Sequence, residues 1–528
     1  MYDIIIKNGE IYDGTGAEPF TADIAIADEK IARIESELEA GAEKVIPADG
    51  RAVTPGFIDT HGHSDIISWA MDSYDYKILQ GVTTEVMGSC GLSAAPCRNE
   101  NKKLLDDYID TIKCGEEFEW RWRDFSDYLD FLDEKDAANN LVPLVGHGTI
   151  RIARMGFSDL SPDGKEIEDM QNMLSNSLNS GAFGFSAGLI YPPGAYSDID
   201  ELSAFADIVS EYEGIFSVHM RNEGSELLTA IEEIIEIAQR TDVEILISHL
   251  KSMGQSNWGK SSRALEMIKK ARAKGLSIWA DQYPYTANST FLNALVPPDE
   301  MNQGLSKLID RLKNEEYALE LIDRIEKDDE TDREDFLANA GGWEGVLVLS
   351  LPQTPEWDGY RISEIAEETG KNPGRVFIDL MINNKGRGLV VTFTMSEDDV
   401  RRIMKAPFQM FGSDGLPGES GGHPRIYGTF PRVYDKFVGE DEPLDRAEAV
   451  RKMTGLPAQV LGLEERGELK EGMKADINIL DFSRFRDRAT YREPLKAPAG
   501  VEYVILGGNI AVEEDSVEKY DCGRLLRS

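Results

Sequence analysis

The chain reads as an α/β protein: a TIM-type (β/α)8 barrel with a small β-sandwich built from both chain ends and an inserted helical lid segment. Three observations predict this. Eight short apolar runs, each followed by polar or glycine-containing residues, alternate with helical patterns, and that alternation requires a parallel sheet with crossover helices. Both ends of the chain carry strand-and-turn patterns with too little apolar face to form a domain alone. One long, highly charged stretch interrupts the alternation late in the chain.

At the N-terminus, 2–6, 21–26 and 30–34 read as strands, with Asn8-Gly9 and Asp13-Gly14 as hairpin-type turns. At the C-terminus, 476–480 and 503–506 read as strands, and Gly507-Gly508 turns the chain into Asn509-Ile510-Ala511-Val512. The economical arrangement is one sandwich from 1–54 and 466–528 around a barrel from 55–465. The eight barrel strands are expected at 53–60, 83–87, 141–145, 184–186, 215–218, 244–247, 276–280 and 410–412, with helices at 202–212, 226–240 and 262–273 among them. Between the seventh and eighth strands, about 286–345 is helical and charged, including Glu326-Lys327-Asp328-Asp329-Glu330 and Asp332-Arg333-Glu334-Asp335. A solvated helical insertion explains it. Because it follows a strand's C-terminal end, a lid over the barrel's catalytic face is the functional expectation.

The balance of 56 Lys and Arg against 96 Asp and Glu leaves a net charge of -40. That surface repels nucleic acid and anionic membranes, so neither is an expected partner. Cys90, Cys97, Cys114 and Cys522 show no repeated spacing, which argues for a reducing compartment. The start lacks a signal peptide's basic lead and long apolar run, and no stretch has membrane-spanning length. The expectation is a soluble, cytoplasmic protein.

Chemistry collects at the predicted strand ends. In Phe57-Ile58-Asp59-Thr60-His61-Gly62-His63-Ser64-Asp65 the two histidines lie one residue apart, so both can point at one spot past the strand. Of six histidines, His61, His63, His147, His219 and His249 all fall at or just beyond proposed strand ends, and His423 follows the last strand. Cys90 and Asp414 hold equivalent positions after the second and eighth strands. One barrel face thus holds nitrogen, sulfur and oxygen ligands in a set suited to zinc. His147 reads as a hydrogen-bonding group behind the ligands and His423 as a loop-orienting residue. Cys97, Cys114 and Cys522 have no such company and read as structural.

With these motifs in place, the sequence resembles the amidohydrolase superfamily, and within it the N-acyl-D-amino-acid deacylases, or D-aminoacylases. Pro55 to Asp65, Gly88-Ser89-Cys90-Gly91-Leu92-Ser93, Tyr191-Pro192-Pro193, Ser217 to Glu223, Ile247 to Lys251, Gly412-Ser413-Asp414-Gly415 and His423 to Arg432 carry the resemblance, in order, over nearly the whole chain. It departs at Ser89, where the family usually has asparagine. Many binuclear relatives in the wider superfamily use a carboxylated lysine at the end of the fourth strand. Here Phe185-Ser186-Ala187-Gly188-Leu189-Ile190 contains none.

The resemblance implies that Cys90, His219 and His249 hold a tight zinc, with His61 and His63 lining a second, weaker position beside Asp414. It implies that Asp414 takes a proton from water and passes it to the leaving amine. Arg425 matches the residue that binds the substrate's carboxylate, and Tyr191, Tyr283 and Lys251 match positions around the substrate; for Tyr283, ordinary packing is the alternative. The implied reaction is zinc-dependent hydrolysis of N-acyl-D-amino acids to a carboxylate and a free D-amino acid. Two rivals stay open here: a cyclic amidase of the hydantoinase or dihydroorotase kind, and a non-catalytic binding protein on the same barrel.

Overall fold

The computed structural model describes residues 1–67, 74–113, 119–135, 137–327, 334–416 and 421–528. Eight parallel strands form the barrel: β1 (Phe57–Asp59), β2 (Val82–Met87), β3 (Asn140–Gly146), β4 (Gly184–Gly188), β5 (Ile215–His219), β6 (Glu244–Ile247), β7 (Ile278–Gln282) and β8 (Gln409–Phe411). Each pairs with its sequence neighbour, except that β8 pairs with β7 across a long excursion. The ring closes between β1 and β8 by the Thr60 amide donating to Phe411 O at 3.4 Å and by a bridge between Gly62 and Gly415. All eight expected strands are present.

Two strands differ from expectation in ways that matter. The run expected at 53–60 is two strands. Ala52–Pro55 pairs with Ile477–Leu480 in the terminal sheet, and only Phe57–Asp59 enters the barrel. Gly56 makes the crossing: a Cβ there would lie 2.1 Å from Thr83 Oγ1. The seventh strand sits two residues later than expected, which carries Asp281 into the strand's C-terminal end.

Amphipathic helices cover the strands. Leu227–Thr241 buries Leu227, Ala230, Ile231, Ile234, Ile237, Ala238 and Thr241, the 3–4 spacing of one helix face. Each buried isoleucine contributes about 1.5–3 kcal/mol. Ile199–Glu211 starts where the Asp198 carboxylate accepts the Glu201 amide, and its Phe205 stacks on Phe185 of β4 at 5.3 Å. Inside the barrel, Ile58, Val86, Leu144, Ile215, Leu246 and Met410 pack with Leu456 and Val460 of the helix Gly455–Val460. Ile215 opens β5, so this plug fills the N-terminal end and leaves the polar C-terminal end to the histidines. Among the described residues no helix is long and apolar enough to cross a membrane.

Strands from both chain ends share one nine-stranded sheet, in which Ala52–Pro55 is the seam between Tyr2–Ile11 and Ile477–Leu480. The last residues leave that sheet: Leu141 donates to Arg524 O and Leu526 donates to Leu141 O, at 2.9 and 2.8 Å.

Between β7 and β8 the chain builds a further layer. It contains the helices Leu305–Leu312, Glu315–Lys327 and Phe336–Asn339, then continues past 345 with Ile362–Thr369 and Pro373–Asn383. Asn288–Phe291, Val346–Ser350 and Leu389–Thr392 form a three-stranded antiparallel sheet beneath them. The expected helical segment is therefore part of a larger unit, because its apolar faces need a partner. Leu308, Leu321 and Ile325 find it in Val346, Val348, Phe377 and Met381. Residues 328–330 and 332–333 of the charged runs lie outside the described residues.

This unit docks on the barrel through Glu334, whose carboxylate accepts from the Glu223 amide and from Asn339 Nδ2. Burial, with the Glu223 charge adding to it, pushes Glu334 up to about 8 from an ordinary 4.5. Folded Glu334 keeps its proton where the unfolded chain has lost it, so its contribution is complete below about pH 4.5 and is lost as pH rises through about 8. Thermal unfolding followed from pH 4.5 to 8.5 should show a decline in Tm that Glu334→Gln, which mimics the protonated acid, makes shallower.

Candidate metal centre

Five strand ends converge on one buried cluster. His61 and His63 follow β1, Cys90 follows β2, His219 ends β5, His249 follows β6 and Asp414 follows β8. Cys90 Sγ lies 3.3 Å from His61 Nε2, 3.6 Å from His219 Nδ1 and 3.7 Å from His249 Nε2. Asp414 Oδ1 lies 3.2 Å from His63 Nε2 and 3.6 Å from His61 Nε2. Among the described residues three triplets have donor atoms within 4.8 Å of one another: His61, His63 and Cys90; Cys90, His219 and His249; and His61, His249 and Asp414.

These spacings fit a metal. Tetrahedral zinc with ligands at ~2.0–2.3 Å needs donor atoms ~3.3–3.8 Å apart. The nitrogens that face the cluster, His61 Nε2, His219 Nδ1 and His249 Nε2, converge on Cys90 Sγ, while the opposite nitrogens His61 Nδ1 and His219 Nε2 have the carboxylates of Asp281 and Glu223 behind them at 3.8 and 3.5 Å, the usual backing of a metal-binding imidazole. Burial holds His219 and His249 well below the usual imidazole range, which keeps them neutral and their lone pairs available. Burial pushes the Cys90 thiol up, against the pull of His61 beside it. Burial would also raise Asp414, but Arg425 and then His63 outweigh it and hold the carboxyl well below its ordinary value.

Local backbone places the donors. Cys90, His249 and Asp414 have φ of 54°, 36° and 49°, the left-handed region that non-glycine residues enter rarely. Gly88 at φ 79° and Gly91 at φ 75° bend the chain around Cys90. β4 ends in Gly188, where a Cβ would stand 2.2 Å from Cys90 O, so the cysteine turn can lie directly on the strand. Ser186 of β4 pins that turn, donating to Gly88 O and accepting from the Gly91 amide. The Ser89 hydroxyl is buried without a partner: the serine preserves the turn and adds no bond to it.

Tyr191, Lys251, Tyr283 and Arg425 line the same narrow cavity as His63, Cys90, His219, His249 and Asp414. Lys251 Nζ donates to both oxygens of Glu223 at 2.7 Å. The Tyr283 hydroxyl is buried and unpartnered, and Arg425 lies over its ring at 4.8 Å. Arg425 Nη1 stands 2.8 Å from Asp414 Oδ2, close enough for an ion pair but not aligned as a hydrogen bond.

His147 lies apart, in a buried cluster with Glu201 at 2.8 Å and Arg151, on the outer face of the strands against Phe185 and Phe205. His423 orients the loop, accepting from the Arg425 amide at 3.0 Å. Cys97 and Cys522 are buried free thiols, and Cys114 lies outside the described residues.

Three carboxylates of the site escaped the sequence reading. Glu223 stands 3.1 Å from His249 Nδ1. Asp281 accepts the His249 amide and lies 3.8 Å from His61 Nδ1. Asp59 accepts the amides of His61 and Ser413 and pairs with buried Lys77. Asp281 was findable from the strand-end rule with the seventh strand placed two residues later.

Barrel and ligand cluster together define a class, a metal-site hydrolase barrel with its donors on the C-terminal strand ends. Comparison with known proteins narrows it. The amidohydrolase family matches residues 44–512. An N-acyl-D-glutamate deacylase of Alcaligenes xylosoxydans xylosoxydans is 34% identical over 99% of this chain and 96% of its own. A D-aminoacylase of the same organism is 33% identical over 99% and 97%. The crystal structure of the Bordetella bronchiseptica N-acyl-D-glutamate deacylase, complexed with zinc and a phosphonate mimic of the tetrahedral intermediate, superposes with a TM-score of 0.84 at 32% identity, covering all of both chains. The chain belongs to the amidohydrolase family and, within it, to the N-acyl-D-amino-acid deacylases.

Proposed function

We propose that this protein is a zinc-dependent deacylase that hydrolyses the amide bond of N-acyl-D-amino acids, releasing a carboxylate and a free D-amino acid. The observation that carries the reading is Cys90 Sγ at 3.3–3.7 Å from three imidazoles, with ionised Asp414 beside them. Cys90, His219 and His249 are the ligands of the tight zinc. His61 and His63, with Cys90 and Asp414 nearby, line a second, weaker position. When bound, zinc lowers the pKa of a water to about 7 and polarises the amide carbonyl.

The chain's own residues do the rest. Asp414, kept ionised by Arg425 and His63, accepts the water's proton and returns it to the amine nitrogen, which leaves poorly unless protonated. Glu223 fixes the His249 ring through Nδ1, so that Nε2 faces Cys90. Arg425 reads the substrate's α-carboxylate with its planar fork. The guanidinium rests against Asp414, so substrate and acid-base group share one cation. Tyr191, Tyr283 and Lys251 complete the wall. A cyclic amidase is disfavoured by the lysine-free end of β4 and by a cation placed for a free carboxylate. The cytoplasm suits a thiolate ligand, which oxidation would destroy.

The test is zinc content together with amine release from N-acetyl-D- and N-acetyl-L-amino acids; release from the D-form only is expected, and ring opening of hydantoins or dihydroorotate in its place would overturn the reading. Cys90→Ala should abolish tight zinc binding and nearly all turnover; a mutant with full zinc occupancy removes Cys90 from the ligand set. Asp414→Asn should keep zinc and lose ~10²–10⁴-fold in kcat, the usual worth of acid-base catalysis. Arg425→Ala should lose severely on N-acetyl-D-amino acids and little on their amides, with Arg425→Lys recovering part. Equal loss on both substrates would make Arg425 a support for Asp414 alone.

A further inference from the structure

The charges lining the cavity cancel. Among the described residues its cations are Lys251 and Arg425 and its carboxylates Glu223 and Asp414, all buried. Lys251 is engaged by both oxygens of Glu223 at 2.7 Å, and Arg425 stands 2.8 Å from Asp414. Beside these charged groups, Asn288, Ser289 and Thr290 are uncharged, and Leu92, Tyr191, Phe291, Phe336 and Leu416 present apolar or aromatic surface. Thr290 is occupied by the Tyr191 hydroxyl at 3.1 Å.

On the deacylase reading, the substrate's α-carboxylate engages Arg425. A second carboxylate, on a D-glutamate or D-aspartate side chain, would then find no unpaired cation among the described lining residues, only aromatic rings, neutral groups such as the Tyr283 hydroxyl, and a lysine already held by a bidentate acid. Burying a charge without a partner is strongly unfavourable, whereas an apolar side chain gains by leaving water. Tyr191 and Phe291, whose rings meet at 5.3 Å, also line an adjoining cleft with Ile190, Val296 and Met301, and the cation of that cleft among the described residues, Arg387, is paired with Asp110 at 2.7 Å. Overall identity does not choose a side chain, since the glutamate-directed relative and the D-aminoacylase are 34% and 33% identical to this chain.

We infer that the site selects N-acyl-D-amino acids with uncharged, apolar side chains, and that Phe291 and Phe336, both supplied by the unit between β7 and β8, are specificity-determining residues. The inference rests on the deacylase reading and deepens it. Phe291 is half-buried, so a longer side chain can be accommodated there without opening the core.

The test compares kcat/KM of the zinc-loaded protein on N-acetyl derivatives of D-Leu, D-Phe, D-Glu and D-Asp at one ionic strength. D-Leu or D-Phe should exceed D-Glu and D-Asp by ~100-fold or more. Acidic substrates turned over as well as or better than apolar ones would overturn the inference and leave the deacylase reading standing; no amine release from any D-derivative would remove that reading and the inference with it. Phe291→Arg, placing a cation in the wall, should shift the D-Glu to D-Leu ratio by at least ~10-fold toward D-Glu. An unchanged ratio in folded, zinc-loaded mutant protein would overturn the assignment of Phe291.

Discussion

The catalytic end of this barrel depends on a buried ion pair at the place where the ring closes. β1 and β8 share no regular ladder; beyond the Thr60–Phe411 bond and the Gly62–Gly415 bridge, side chains join their loops. Lys77, fully buried, pairs with Asp59, lies 3.2 Å from Glu85 and donates to Ser413 Oγ at 2.7 Å. Asp59 in turn accepts the amides of His61 at 3.2 Å and Ser413 at 2.7 Å, and the Asp414 amide donates to His61 O at 2.9 Å. One cation therefore sets the histidine pair and Asp414 relative to each other. Breaking a buried pair of this kind costs about 3–5 kcal/mol, because the remaining charges have no water to fall back on.

The donors are held at ligand spacing by the protein's own hydrogen bonds, and some of that holding is strained. Left-handed backbone at Cys90, His249 and Asp414 costs of order 1–3 kcal/mol at each position. The offsets are local: Ser186 pins the Cys90 turn, Asp281 accepts the His249 amide, and His61 O accepts the Asp414 amide. A site organised this way meets a metal without having to fold around it.

Above the site, the unit between β7 and β8 has its own core and still belongs to the active centre. Ile190 and Met253, from the barrel's loops, pack within that core. Phe291 and Phe336 reach from it into the cavity, and Glu334 accepts the amide of the residue whose carboxylate holds Lys251 and His249. One cavity thus draws on two layers of the fold: the barrel brings the cluster of donor groups and the excursion brings part of the wall.

Much of this was legible in the chain. Strand periodicity and alternation with helices located all eight barrel strands, because each apolar run must be buried wherever it falls. His61, His63, Cys90, His219, His249 and Asp414 were visible as a group because strand ends are local features and the barrel rule places them on one face. What sequence could not place were the contacts that bind distant segments: Lys77 with Asp59, Glu223 with Lys251, Arg425 with Asp414, and the small sheet that completes the excursion. The split of the first strand at Gly56 belongs with them, since it reflects which sheet each half can pair with. Local patterning determined the fold and the inventory of reactive groups, since both follow from burial and spacing along the chain. The tertiary structure alone decided how their charges are paired, and with that whether the pocket has a cation to spare, because electrostatic partners are chosen by distance in space.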